Sequence, residues 1–230
     1  MRKISLLLIL LFSFSEAWDE KAFVERFGKY DNKTLRYEKF LCDENKDINA
    51  CSNVGAFYAL KQNDKEALKY FKKACEEDAV ACEFAGDLYY RGRDYAKAAE
   101  YYQKACGHSE GAACIHLGNM YDEGVGVKQD YLKAFEYHKK GCDSGVKESC
   151  YSLGNAYVQG KGAKQDYLKA MEYYQKACDK DMEKACYNLG SIYYNGHGVS
   201  QDKGKAKEYA RKACDLKFQH SCDFYKFLND

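Results

Sequence analysis

Small and aromatic residues recur at fixed distances from the cysteines of this chain, and the distances are those of helix faces. Cys106, Cys142, Cys178 and Cys214 stand 36 residues apart, as do Cys114, Cys150, Cys186 and Cys222. Cys75 and Cys82 carry the pattern upstream with a shorter unit, and Cys42 and Cys51 begin it. Five units result, running Cys51 to Cys75, Cys82 to Cys106, Cys114 to Cys142, Cys150 to Cys178 and Cys186 to Cys214. Four residues after each opening cysteine comes a glycine (Gly55, Gly86, Gly118, Gly154, Gly190), and seven after it a tyrosine (Tyr58, Tyr89, Tyr121, Tyr157, Tyr193). Positions i, i+4 and i+7 share a helix face, so the first half of each unit is predicted helical. Eight residues before each closing cysteine lies an alanine (Ala67, Ala98, Ala134, Ala170, Ala206) and five before it a tyrosine (Tyr70, Tyr101, Tyr137, Tyr173, Tyr209), which predicts a second helix. Glycine inside a helix costs about 1 kcal/mol against alanine, so five at one register need a packing reason. The expectation is close helix approach, with the glycines facing the alanines and the tyrosines filling the space around them.

The last three units carry four extra residues between the helices, with Gly124-Val125-Gly126, Gly160-Lys161-Gly162 and Gly196-His197-Gly198 at the turn. These glycines end helices and permit left-handed backbone. They do not read as a phosphate cradle, because no strand precedes them and no G-K-[ST] follows. Helix pairs at such a period predict an all-α, right-handed α-solenoid with an extended concave binding surface. The repeats are expected over residues 48–218, at about 48–77, 79–108, 111–146, 147–182 and 183–218. Residues 18–47 form an N-terminal helical cap and residues 219–230 a C-terminal cap, since terminal repeats must cover an open apolar face.

Charge and the N-terminus narrow the setting. Lys and Arg number 36 against 35 Asp and Glu, giving a net charge of +1 and no basic field for a nucleic-acid partner. Arg2 and Lys3, the apolar run Ile4 to Phe14 and the small residues of Ser15-Glu16-Ala17 read as a signal peptide over residues 1–17, cleaved before Trp18. The apolar run is too short to cross a hydrocarbon core, which needs about 20 residues, so an exported protein without a membrane span is expected, periplasmic or secreted. No cysteine follows the cleavage point to carry a lipid anchor. Twelve cysteines in an exported chain favour disulfides over thiols.

Units such as Cys150-Tyr151-Ser152-Leu153-Gly154-Asn155-Ala156-Tyr157, followed by Gly160-Lys161-Gly162, Asp166, Lys169-Ala170 and Lys176-Ala177-Cys178, resemble Sel1-like repeats, relatives of the tetratricopeptide repeat. With a cysteine closing each helix pair and a signal peptide in front, the chain is similar to the Helicobacter cysteine-rich proteins. The likeness covers roughly residues 40–222; the first two units depart from it by their shorter turns. Spacing suggests the pairs Cys42–Cys51, Cys75–Cys82, Cys106–Cys114, Cys142–Cys150, Cys178–Cys186 and Cys214–Cys222, through linkers short enough for disulfide range, without proving the connectivity. The resemblance agrees. Structural zinc competes weakly, because its sites favour C-x₂₋₄-C knuckles and reduced thiols.

Members of that family are classed as penicillin-binding proteins and weak β-lactamases, so the resemblance implies this activity. The solenoid's concave face is expected to take a peptide, cell-wall fragment or protein ligand, with β-lactams as mimics of the D-Ala-D-Ala end of cell-wall peptides; the alternative is a non-catalytic protein–protein interaction scaffold in the periplasm or secreted to the host. Serine β-lactamases use S-x-x-K supported by S-D-N and K-T-G. S-x-x-K occurs at Ser144-Gly145-Val146-Lys147 and Ser200-Gln201-Asp202-Lys203, but S-D-N and K-T-G are absent, and both matches fall in linkers or turns. No catalytic residue is assigned. His108, His116, His138, His197 and His220 neither cluster nor keep a repeated register, and read as surface or packing residues. No metal or cofactor is expected. The lysines two before each closing cysteine (Lys73, Lys104, Lys140, Lys176, Lys212) read as favourable charges at helix C-termini. Asn32-Lys33-Thr34 is a formal glycosylation sequon without the acidic residue two positions upstream that the known bacterial pathway prefers, and is discounted.

Overall fold

The computed structural model describes residues 30–108 and 111–229. The expected signal peptide and residues 18–29 of the expected cap lie outside the described residues. Twelve helices are described and no strand. They are α1 Asn32–Glu44, α2 Ile48–Leu60, α3 Asp64–Ala74, α4 Ala79–Arg91, α5 Tyr95–Gly107, α6 Gly111–Glu123, α7 Tyr131–Asp143, α8 Lys147–Gln159, α9 Tyr167–Cys178, α10 Glu183–Asn195, α11 Lys203–Asp215 and α12 Gln219–Phe227.

The chain divides into two compact units, one ending at His116 and taking in Val125–Val127, the other formed by Leu117–Gly124 and the residues from Lys128 onward. In the first, α2 pairs with α3 and α4 with α5; in the second, α8 pairs with α9 and α10 with α11. Second helices also pack on the next first helix, as α3 does on α4 in the first unit and α7, α9 and α11 do on α8, α10 and α12 in the second, so helix hairpins stack within each unit.

Local chemistry sets the helix starts. Second helices begin on a side-chain cap: Asn63, Asp94, Asp130, Asp166 and Asp202 accept hydrogen bonds from backbone N–H groups of their first turns. First helices α8, α10 and α12 instead follow Val146, Met182 and Phe218, with no side-chain cap bond. Their first turns are held by disulfides.

Six disulfides are present: Cys42–Cys51, Cys75–Cys82, Cys106–Cys114, Cys142–Cys150, Cys178–Cys186 and Cys214–Cys222, with Cα–Cα distances between 4.5 and 4.9 Å. Four tie the end of one hairpin to the start of the next, and the first and last tie the single helices α1 and α12 to the hairpins beside them. Closing a loop of about nine residues constrains the unfolded chain by about 2.5 kcal/mol per bridge in the loop-entropy account.

The helical glycines pack differently from the expectation. A β-carbon on Gly55, Gly86, Gly118 or Gly154 would lie 2.4 to 2.7 Å from the ring of Phe71, Tyr102, His138 or Tyr174 respectively. These rings stand four residues before the closing cysteines, a register the opposed alanines do not share. The glycines are therefore holes that accept a ring, while Ala67, Ala98, Ala134, Ala170 and Ala206 are buried at 0 to 1% exposure. In the last repeat the ring position is Ala210, and there alone among the five the glycine, Gly190, approaches backbone: its β-carbon would lie 3.1 Å from the Ala206 carbonyl oxygen.

Candidate functional site

The two repeated tyrosines stack on each other in every repeat. Ring centroids are 6.0 Å apart for Tyr58–Tyr70, 5.3 Å for Tyr89–Tyr101, 5.5 Å for Tyr121–Tyr137, 5.6 Å for Tyr157–Tyr173 and 5.8 Å for Tyr193–Tyr209. Lysines cover these pairs: Lys104, Lys140 and Lys176 lie 4.8 to 5.5 Å from the centroids of Tyr101, Tyr137 and Tyr173, and Lys97, Lys133, Lys169 and Lys205 lie 4.9 to 5.4 Å from the first-helix partners. The expected helix-end role of the lysines is thus joined by cation–π contact, worth about 0.5–1 kcal/mol at exposed sites. Lys104 and Lys176 are also paired with Glu100 and Glu172, at 3.1 and 2.9 Å, so these cations are neutralised within their own helices.

A second set of contacts gathers on the first helices. Asp87 of α4 accepts a hydrogen bond from the Tyr102 hydroxyl at 2.6 Å, and the Tyr102 ring stacks on His116 of α6 at 4.9 Å. In the other unit, the Tyr174 hydroxyl donates to Asn155 Oδ1 of α8 at 2.7 Å and is also faced by the Asn188 side chain of α10. His138 lies over Gly118 with Nε2 2.8 Å from Asp122 Oδ2. Its Nδ1 and the hydroxyl of Ser149 are buried without a hydrogen-bond partner among the described residues.

No histidine register repeats, yet two histidines stand at positions that other repeats fill with another residue type. His138 takes the ring position of Phe71, Tyr102 and Tyr174, and His116 stands two residues after an opening cysteine, as Asn188 does. His197 and His220 pack beside Tyr167 and Phe218, at 5.1 and 5.5 Å, and His108 is exposed at the end of α5. Sequence reasoning passed over the ring register because its occupants differ in type, although each stands at the same distance from a cysteine.

The S-x-x-K serines have no catalytic setting. Ser144 is the exposed C-cap residue of α7, with Lys147 opening α8. Ser200 is exposed in the turn before Asp202, which caps α11, where Lys203 is the first residue. The glycine turns are structural. Gly124, Gly160 and Gly196 adopt φ near +70°, and a β-carbon on the second glycine of each turn would strike Tyr95, Tyr131 or Tyr167 of the preceding repeat. Asn32 lies exposed in the first turn of α1, beside the capping Asp31. Among the described residues no cluster of His, Cys, Asp or Glu could hold a metal ion, and no helix is long and apolar enough to cross a membrane.

Comparison with known proteins agrees with this architecture. A protective antigen present in uropathogenic Escherichia coli strains, c5321, which displays an SLR fold, is 28% identical with a TM-score of 0.76 over 86% of this chain. The chain covers 44% of that protein's length. A Sel1 repeat protein from Oxalobacter formigenes is 24% identical with a TM-score of 0.67, covering 86% of each chain. Helicobacter pylori cysteine rich protein B is 32% identical over 56% of this chain and 96% of its own, with a TM-score of 0.46. No curated protein matches the sequence. Five consecutive segments, residues 48–78, 79–108, 111–146, 147–182 and 183–218, match the family model of the Sel1 repeat. With most of its length made of these units, the chain belongs to the Sel1 repeat family.

Proposed function

We propose that this protein is an exported interaction scaffold that takes an uncharged, extended segment of a partner protein or peptide along the first helices of repeats 4 and 5. One observation carries the reading: charge is divided between the two kinds of helix. Residues 149–160 contain no charged side chain, and residues 185–201 contain only His197 among titratable acids and bases other than tyrosine. The second helices carry Lys169, Glu172 and Lys176, then Lys203, Lys205, Lys207, Glu208, Arg211 and Lys212. In α8 and α10 charge is confined to the first turn, at Lys147, Glu148, Glu183 and Lys184; where 31% of all residues are charged, the remainder of these helices is a surface of another kind.

That surface offers Tyr151, Asn155, Tyr187, Ser191 and Tyr194, each half-buried, with Phe227 at 60% exposure beside Tyr194. Tyrosine supplies rigid contact area at low entropic cost, while asparagine and serine supply adaptable hydrogen bonds, the combination antibody paratopes use. An unpaired charge desolvated against such a face would be costly, which favours a neutral occupant presenting backbone amides. Six disulfides support an oxidising compartment, periplasmic or extracellular.

The test is selection of peptides from a displayed library on the oxidised protein, followed by titration of the selected peptide against Tyr151→Ala and Tyr194→Ala. Loss of about 1–2 kcal/mol per tyrosine is expected. Selection of strongly charged peptides, or affinity unchanged in both variants, would overturn the reading.

A second and narrower reading is binding of penicillin or cell-wall peptides with weak β-lactam hydrolysis. Its support is the resemblance to the Helicobacter cysteine-rich proteins, to one of which the chain is 32% identical. Turnover of a chromogenic cephalosporin that follows the purified protein and disappears on reduction is the expected result; turnover no higher than in a contaminant control rejects it. Because Ser144 and Ser200 lie in exposed linkers, Ser144→Ala and Ser200→Ala are expected to leave any turnover unchanged.

A further inference from the structure

Three of the junctions between consecutive repeats are compared at three registers. They are the residue five after an opening cysteine, the residue four before the closing cysteine, and the residue two after the next opening cysteine. Between repeats 1 and 2 these are Ala56, Phe71 and Phe84, with the two rings 5.2 Å apart. Between repeats 4 and 5 they are Asn155, Tyr174 and Asn188, joined through the Tyr174 hydroxyl. Between repeats 2 and 3 they are Asp87, Tyr102 and His116, joined by the 2.6 Å hydrogen bond and the 4.9 Å ring stack. The neutral amides of one junction are replaced, in the same frame, by a carboxyl and an imidazole.

The groups facing this cluster come from all three helices. Asp87 is faced by His116 of α6, Tyr102 of α5 and Arg91 of its own helix. Tyr102 is faced by Asp87, Glu83 and Tyr90 of α4. Burial pushes the Asp87 carboxyl above its ordinary range, with His116, the Tyr102 hydrogen bond and Arg91 opposing the shift. It holds the His116 imidazole below its ordinary 6.5, with Asp87 opposing.

We propose that the junction of repeats 2 and 3 is a proton-responsive joint, loosened on one side by ionisation of Asp87 and on the other by protonation of His116, while the amide junction of repeats 4 and 5 is indifferent to pH. The two arms have opposite sign. A histidine whose folded pKa is depressed gives up a proton on folding, so its contribution is complete above 6.5 and is lost as pH falls from there through the folded value. A carboxyl whose folded pKa is raised takes up a proton on folding, so stability is lost as pH rises from 3.8 through the folded value.

Segment-resolved hydrogen exchange on the oxidised full chain, from about pH 4 to about pH 8, tests this. Between 3.8 and 6.5 the two arms oppose each other in the unaltered protein, each by at most about tenfold in protection of α4 and α6 per pH unit for the proton exchanged, so single variants are needed to separate them. Protection factors in α8 and α10 are expected to stay level. His116→Asn leaves the Asp87 arm alone, so protection in α4 and α6 should fall as pH rises from about 4; Asp87→Asn leaves the His116 arm alone, so protection should fall as pH drops from 6.5; each substitution copies one amide of the repeat 4–5 junction. His116→Asn also removes a stacked ring, so the slope with pH is the readout and not the absolute protection. Level profiles in both single variants, or slopes of the same sign in the two, would overturn the proposal.

Discussion

The ring of Tyr174 fills the space that a β-carbon on Gly154 would occupy, at 2.4 Å from the nearest ring atom. Both residues are buried, so neither can yield into solvent. Gly154→Ala is therefore expected to destabilise the protein by about 1–3 kcal/mol through overpacking, even though alanine is the better helix former by about 1 kcal/mol. Gly190→Ala, where the nearest atom is 3.1 Å away, should cost less. Urea unfolding of the two oxidised variants ranks them; the reverse order would reject the ring-and-hole account.

The stacked pair of Tyr157 and Tyr173, with ring planes 13° apart, should behave as a coupled unit. A double-mutant cycle with Tyr157→Ala and Tyr173→Ala is expected to return a coupling of about 0.5–1.5 kcal/mol. Additive losses would mean that the two rings share a surface without interacting.

His138 is a polar ring in a position filled elsewhere by Phe71 or a tyrosine, with one nitrogen bonded to Asp122 and the other buried unpaired. His138→Phe removes a hydrogen bond worth about 0.5–1.5 kcal/mol together with an unpaired group whose burial costs about 1–3 kcal/mol. Asp122 keeps 38% of its side-chain surface in solvent and can be rehydrated. The variant is expected to be as stable as the parent or more stable by up to about 1 kcal/mol, and thermal unfolding decides. A fall larger than that would show the histidine to be an asset to the fold.

Removing one bridge, as in Cys178→Ser with Cys186→Ser, should cost about 2–4 kcal/mol and should raise hydrogen exchange chiefly in α9 and α10, which that bridge joins. Uniform loosening of all the described helices would show that the repeats do not open as separate neighbours.

Much of the architecture was legible because it is written in intervals. The cysteine period, the paired tyrosines and the small residues at fixed offsets mark out helix pairs without any knowledge of their packing. Which small residue meets which large one was not legible. The glycine register and the alanine register look equally suited to close approach, and the difference lies in the angle at which one helix crosses the other. The ring position was hidden for another reason, since Phe71, Tyr102, His138 and Tyr174 share size and not chemistry. The Asp87–His116 joint carries no sequence signal, because each residue is an isolated departure from the repeat and becomes a pair only through Tyr102. The uncharged run in the first helices of repeats 4 and 5 was readable but acquires meaning only when those helices are seen to share Tyr174 as a bridge.

Every cysteine in this chain is joined to its immediate neighbour along the sequence, seven to nine residues away. In a chain that enters an oxidising compartment N-terminus first, both cysteines of each bridge emerge before either cysteine of the next pair. Among twelve thiols the number of wrong partners is large, yet at any moment of entry the nearest available partner is the right one. Order of arrival takes over the task that reshuffling performs in proteins whose bridges span distant segments.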